Sequence, residues 1–143
     1  MHNFNFYYPL RVRYSEIDGQ RIVFNSHYLT YVDVAVVEYF RNIFQEHWEF
    51  YLQENKFELV LVKANLEYKK PARLDDVLNI YCKVTGLGNS SINIAAQITR
   101  EKEQEILFTA DNIYVCIDLA KGSSRSIPEE IREKITAFEG ITK

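Results

Sequence analysis

Residues 26–44 read as one long helix that is apolar almost all the way round, and few folds can accommodate such an element. Thr30, Asp33, Val37 and Arg41 share one narrow stripe, whereas Leu29, Tyr31, Val32, Ala35, Val36, Tyr39, Phe40 and Ile43 occupy most of the remaining surface. A helix of this kind has to be buried on several sides, as happens when a sheet curls around it. The rest of the chain supplies strands for that sheet. Over residues 6–14 the even positions Phe6, Tyr8, Leu10, Val12 and Tyr14 are apolar and Arg11 and Arg13 point the other way, the period of a half-buried strand. Residues 58–68 repeat it with Val60, Val62, Ala64, Leu66 and Tyr68 facing inward. Leu78, Ile80, Cys82 and Val84 follow, then Ile92, Ile94, Ala96 and Ile98 after a Gly88-Asn89 connection. A last strand over residues 106–119 is apolar on both faces, which predicts an interior position in the sheet. A short helix over residues 45–55 and another begun by Ser126 or Pro128 complete an α+β class protein.

With 143 residues the chain has room for one domain with a substantial core. Its formal net charge of −3 offers no electrostatic reason to bind nucleic acid. Cys82 and Cys116 form no CxxC pair and no ligand cluster with His2, His27 or His47, so a structural metal is not expected. Two buried, reduced thiols in a cytoplasmic protein is the reading that follows. The aromatic N-terminus lacks the charged and aliphatic regions of a secretory signal, and no apolar run reaches the roughly 20 residues of a membrane span.

Chemistry concentrates in YSEIDGQRIVFNSHYLTY, residues 14–31. Two carboxylates, Glu16 and Asp18, stand two apart, and continued extension would put them on one side of the chain. A short loop then reaches Asn25 and Ser26, both good N-cap residues, where the long helix starts. The first turn of a helix has N–H groups without internal partners and the positive end of the macrodipole, so it can hold an oxygen on which negative charge develops. A carboxylate base beside such a site is the minimal equipment for ester or thioester hydrolysis. Spacing alone also allows both acids to be turn and cap residues. Glu38, on the border of the polar stripe, and His47 read as structural.

The order of Tyr14, Glu16, Asp18, Ile22, Val23, Phe24, Asn25, Tyr28 and Tyr31 resembles the 4-hydroxybenzoyl-CoA thioesterase-like family of hotdog-fold acyl-CoA thioesterases, as does Lys70-Pro71-Ala72-Arg73 with Asp75 and Asp76. The resemblance implies a hotdog fold, an antiparallel five-stranded sheet wrapped around one long helix. It also implies an acyl-CoA substrate, no cofactor, and a homodimer or homotetramer joined through sheet edges. Asp18 would be the base or nucleophile, and the helix start near Asn25 the oxyanion site. Arg21, Ile22, Val23, His27 and Tyr28 would contact substrate, and Lys69, Lys70, Arg73 and Arg100 would supply cations for the CoA phosphates. Family members often carry a His at the position of Asn25 and a Gly at that of Arg21, so both are departures. A hotdog hydratase or dehydratase and a non-catalytic acyl thioester binding protein are the competing readings.

Overall fold

The structure is a computed structural model that describes residues 3–142; His2 lies outside them. The element order is β1 (Tyr7–Arg11), α1 (His27–Phe44), α2 (Trp48–Gln53), β2 (Leu59–Tyr68), β3 (Val77–Leu87), β4 (Ser91–Arg100), β5 (Ile106–Asp118), β6 (Ser123–Ser124) and α3 (Glu129–Glu139). The main strands line up as β1-β3-β4-β5-β2, every pair antiparallel, with two-residue β6 attached to β5. The sheet curls around α1 in the hotdog arrangement.

Periodicity accounts for how α1 is held. Tyr28, Tyr31, Val32, Ala35, Val36, Tyr39, Phe40 and Phe44 are buried, whereas Thr30, Asp33, Val37 and Arg41 form the exposed stripe. The inward residues of β3 and β4, among them Leu78, Ile80, Ile92 and Ile98, are fully buried in the same core as the helix. Phe40, Phe44, Tyr51 and Phe57 pack ring on ring at the end of α1, where a single 3-10 turn (Gln45–His47) leads into α2. Glu38 pairs with Arg41 at 3.3 Å, and exposed His47 stacks on Tyr51. The helix α3 ends at Gly140, whose φ of 69° suits a residue without Cβ.

Three local expectations need correction. The first strand stops at Arg11, and residues Tyr14–Glu16 form a 3-10 turn that leaves Tyr14 78% exposed rather than facing inward. In β2, Leu61 pairs with Tyr114 and Lys63 with Ile113, so Val62 is an extra, bulged residue. The bulge reverses the alternation: Val60 and Val62 are 42% and 58% exposed, while Leu59 and Leu61 are partly buried. In β5 the consecutive buried pair Leu107-Phe108 has the same origin. Ile98 pairs with Phe108 and Thr99 with Ile106, which makes Leu107 the extra residue. That strand is nonetheless interior, bonded to β4 on one side and β2 on the other.

Cys82 and Cys116 are free thiols buried on strands, and burial pushes the Cys82 thiol up to about 12. No described helix is long and apolar enough to cross a membrane. Among the described residues no cluster of His, Cys, Asp or Glu is suited to hold a metal ion.

Candidate active site

The Asp18 loop is a short hairpin laid against the start of α1. Ile17 pairs with Val23, and the Asp18 N–H donates to the Ile22 carbonyl at 2.9 Å. The Arg21 N–H returns to the Asp18 carbonyl at 2.9 Å, which closes a tight turn. Within that turn the Gln20 N–H donates to Asp18 Oδ1 at 2.8 Å, so one carboxylate oxygen orients the side chain by an Asx-type contact. Arg21 adopts φ 64°, the left-handed region that a glycine occupies freely. This gives a backbone reason for the Gly that the resemblance leads one to expect at that position.

Glu16 and Asp18 do not share a side, because Glu16 belongs to the 3-10 turn and Asp18 lies beyond its end. Glu16 is buried, accepting hydrogen bonds from the Arg13 amide and guanidinium and, at 2.7 Å, from the Tyr31 hydroxyl. Burial alone would raise its pKa. The Arg13 and Tyr31 hydrogen bonds outweigh that and hold it below the usual carboxylate value. Tyr31, with its hydroxyl on that carboxylate in a buried position, is pushed above its ordinary value.

Ser26 occupies the N-cap position of α1 but makes no side-chain cap bond. The His27 amide is taken by the Phe24 carbonyl at 3.0 Å, and the Tyr28 amide reaches the Asn25 carbonyl at 3.5 Å. The Asn25 and Ser26 amides have no acceptor among the described residues.

A cavity of about 750 Å³ opens beside this helix start. It is lined by residues 18–20 of the Asp18 loop, by residues 22–25, by Tyr28 of α1, and by residues 68–71 at the end of β2 and in the segment after it. Two of its lining residues, Tyr28 and Tyr68, meet edge-on and are backed by fully buried Phe108, on which Tyr28 stacks at 5.1 Å and which Tyr68 meets edge-on. The Tyr28 hydroxyl accepts the Ala72 N–H at 3.0 Å, and the Tyr68 hydroxyl donates to the Asn25 carbonyl at 3.0 Å. Lys69 and Lys70 are exposed at the rim and paired with Glu67 (3.1 Å) and Glu105 (2.6 Å).

Of the residues singled out in the sequence, Asp18, Ile22, Val23, Asn25, Tyr28, Lys69 and Lys70 meet around this cavity. Arg21, His27 and Arg73 are not among its lining residues. Arg21 flanks a second depression, with Tyr14 and Ile17, that shares Asp18 and Gly19 with the cavity; His27 packs against Phe24, and Arg73 is exposed beyond its bridge to Ile22. Arg100 is engaged with Asp76 (3.0 Å), Glu103 (3.1 Å) and the Pro71 carbonyl, so it braces the loop below the cavity. Tyr31 and Tyr39 are core residues. Tyr68 and Gln20 enter the site without having been singled out for it, and Phe24, named in the family pattern, enters without having been given a role. For Tyr68 the available signal was an aromatic at the last position of a strand, directly before the Lys-Lys-Pro-Ala run.

A sheet curled around one helix, with an acidic loop and an apolar cleft at the helix start, is the architecture of hotdog thioesterases. The chain belongs to the thioesterase-like superfamily, whose sequence profile matches residues 12–135. It is 30% identical over 127 residues to the acyl-CoA thioester hydrolase YbgC of Escherichia coli O6:H1, covering 88% of this chain and 92% of that protein. The long-chain acyl-CoA thioesterase FadM of Escherichia coli K12 is 29% identical over 126 residues, covering 88% of this chain and 93% of FadM. Among solved structures, a Thermus thermophilus thioesterase complexed with coenzyme A and zinc superposes with a TM-score of 0.84 at 27% identity, over the whole of both chains.

Proposed function

We propose that residues 1–143 form one hotdog thioesterase domain that hydrolyses an acyl-CoA thioester to the free acid and CoA. The observation that carries this reading is the meeting of the Asp18 carboxylate and the start of α1 at Asn25 around one cavity. The Gln20 amide holds Asp18 Oδ1, and Oδ2, which has no donor among the described residues, activates water or attacks the carbonyl carbon itself. The Asn25 and Ser26 amides receive the developing oxyanion. CoA thiolate is a good leaving group beside an alkoxide or an amine, so one carboxylate suffices without a serine triad. Ile22, Val23, Phe24, Tyr28 and Tyr68 surround the acyl end, and Lys69 and Lys70 face the CoA phosphates from the rim. Their exposed ion pairs are weak and exchange readily for phosphate.

The edge strand β2 supports a homodimer. Among the described residues its outer edge has no partner strand, and Val60 and Val62 stand exposed along it, a combination that soluble proteins rarely leave uncovered. The two reduced, buried thiols agree with a cytoplasmic location.

The test is hydrolysis of short, long and aromatic acyl-CoAs, followed with a thiol reagent, with Asp18→Asn alongside. Turnover by wild type with a loss of about 10²–10⁴-fold in the variant is expected. Heat protection by acyl-CoA with no thiol released would instead establish a non-catalytic binding protein.

A further inference from the structure

The proposed chemistry leaves one buried carboxylate of the Asp18 region without a role. Glu16 is 6% exposed. Its Oε1 accepts from the Arg13 amide (2.9 Å) and the Tyr31 hydroxyl (2.7 Å), and its Oε2 from Arg13 Nε (2.9 Å) and Nη2. Its carbonyl accepts the Phe24 N–H at 2.9 Å, which joins the two arms of the loop at their base. Asp18 lies two residues beyond Glu16 on one arm, and Asn25 follows Phe24 on the other. Tyr31 stands on α1 itself, four residues or about 6 Å along the axis from its first residue, His27.

These contacts differ in what they connect. The Arg13 bonds fold the turn onto itself, and the main-chain bonds hold the arms of the loop to each other. The Tyr31 hydroxyl alone among the side-chain contacts of Glu16 crosses to the body of the helix. An apolar residue could fill the same space at less cost than a buried carboxylate, yet could not accept that bond. Arg13 keeps the carboxylate ionised, so the contact is a charge-assisted hydrogen bond at neutral pH.

We propose that Glu16 is a positioning residue of the thioester site: through the Tyr31 hydroxyl it sets the separation between the Asp18 carboxylate and the amides at the start of α1. This rests on the role given to Asp18 above. A base and an oxyanion site act together only when both reach one carbonyl, and a displacement near 1 Å costs about 100-fold in rate.

The test compares Tyr31→Phe, Glu16→Gln, the double variant and Asp18→Asn on the acyl-CoA that wild type hydrolyses fastest. Tyr31→Phe keeps the ring and removes one hydroxyl. Its kcat is expected to fall about 10- to 100-fold while KM stays within about 3-fold. The double variant is expected to lose no more than Tyr31→Phe alone, since the Gln oxygen can still accept from the hydroxyl and Glu16→Gln only weakens a contact that Tyr31→Phe removes. A folded Tyr31→Phe with wild-type kcat, beside an inactive Asp18→Asn, overturns the positioning role and leaves the Asp18 reading intact. If Asp18→Asn retains full turnover, the Asp18 reading itself falls. Should Glu16→Gln fail to fold, Tyr31→Phe decides the question alone.

Discussion

The Tyr28 hydroxyl, on the first turn of α1, accepts the Ala72 amide at 3.0 Å, and so ties the helix start to the loop that carries Lys69, Lys70 and Pro71. Both partners are buried, with Ala72 fully so. Tyr28→Phe leaves that amide unpaired and should cost about 1–3 kcal/mol of stability, read from the denaturation midpoint at unchanged m-value. The ring contacts with Phe108 and Tyr68 persist, so a fold that collapses altogether would contradict this account.

Arg21→Gly should stabilise the protein. The present φ of 64° strains a residue with a Cβ, which costs on the order of 1–2 kcal/mol. Glycine also gains unfolded-state entropy, worth about 0.4–1 kcal/mol in the opposite direction. A net gain of about 0.5–1 kcal/mol in equilibrium denaturation is expected; a loss would mean that the Arg21 side chain makes a stabilising contact in solution.

Acid stability should report on Glu16. Its folded pKa lies below the unfolded value of about 4.3, so its contribution is complete above that value and is lost as pH falls through the folded one. Wild type therefore loses stability below about pH 4 more steeply than Glu16→Gln. Parallel acid limbs in the two melting-temperature profiles would sink this prediction.

Lys69→Ala and Lys70→Ala are expected to raise KM for acyl-CoA several-fold with kcat nearly unchanged, the pattern of lost uniform binding. Their pairs with Glu67 and Glu105 lie at the surface, so stability should move by less than about 1 kcal/mol. Adding salt should raise wild-type KM more than that of either variant.

At the β2 edge, Val62→Lys puts a charge on the exposed bulge of the strand proposed to pair with a second copy. Sedimentation should find wild type dimeric and the variant monomeric at low micromolar concentration, with the far-ultraviolet circular dichroism of the two unchanged. Identical oligomeric states would remove β2 as the interface.

Much was legible from order and period alone. The all-round apolar pattern of residues 26–44 demanded a wrapped helix, and the even apolar positions of β3 and β4 all turned inward, because alternation is a local property of an extended chain. Asp18 and Asn25 were legible as candidates because a helix start is a local signal too, whereas Lys69 and Lys70 were candidates through the family resemblance. The bulges at Val62 and Leu107 were not. Each extra residue is defined only by its register against a neighbouring strand, and a shift of one reverses which side chains are buried. Nor could spacing separate Glu16 from Asp18. Both are acids in one short stretch, and the 3-10 turn, the Arg13 contacts and a tyrosine fifteen residues away turn the first into the core and leave the second at the cavity. Tyr68, Phe24 and Gln20 joined the site through packing across α1, β2 and the loop, and Arg21, His27 and Arg73 came to lie outside the cavity wall. The elements, their inward faces in the regular strands and the helix start that could hold an oxyanion follow from the order of residues alone, since each depends on neighbours close together along the chain. Which acid faces that start, and which side chains close around it, was settled when distant segments met in the folded core.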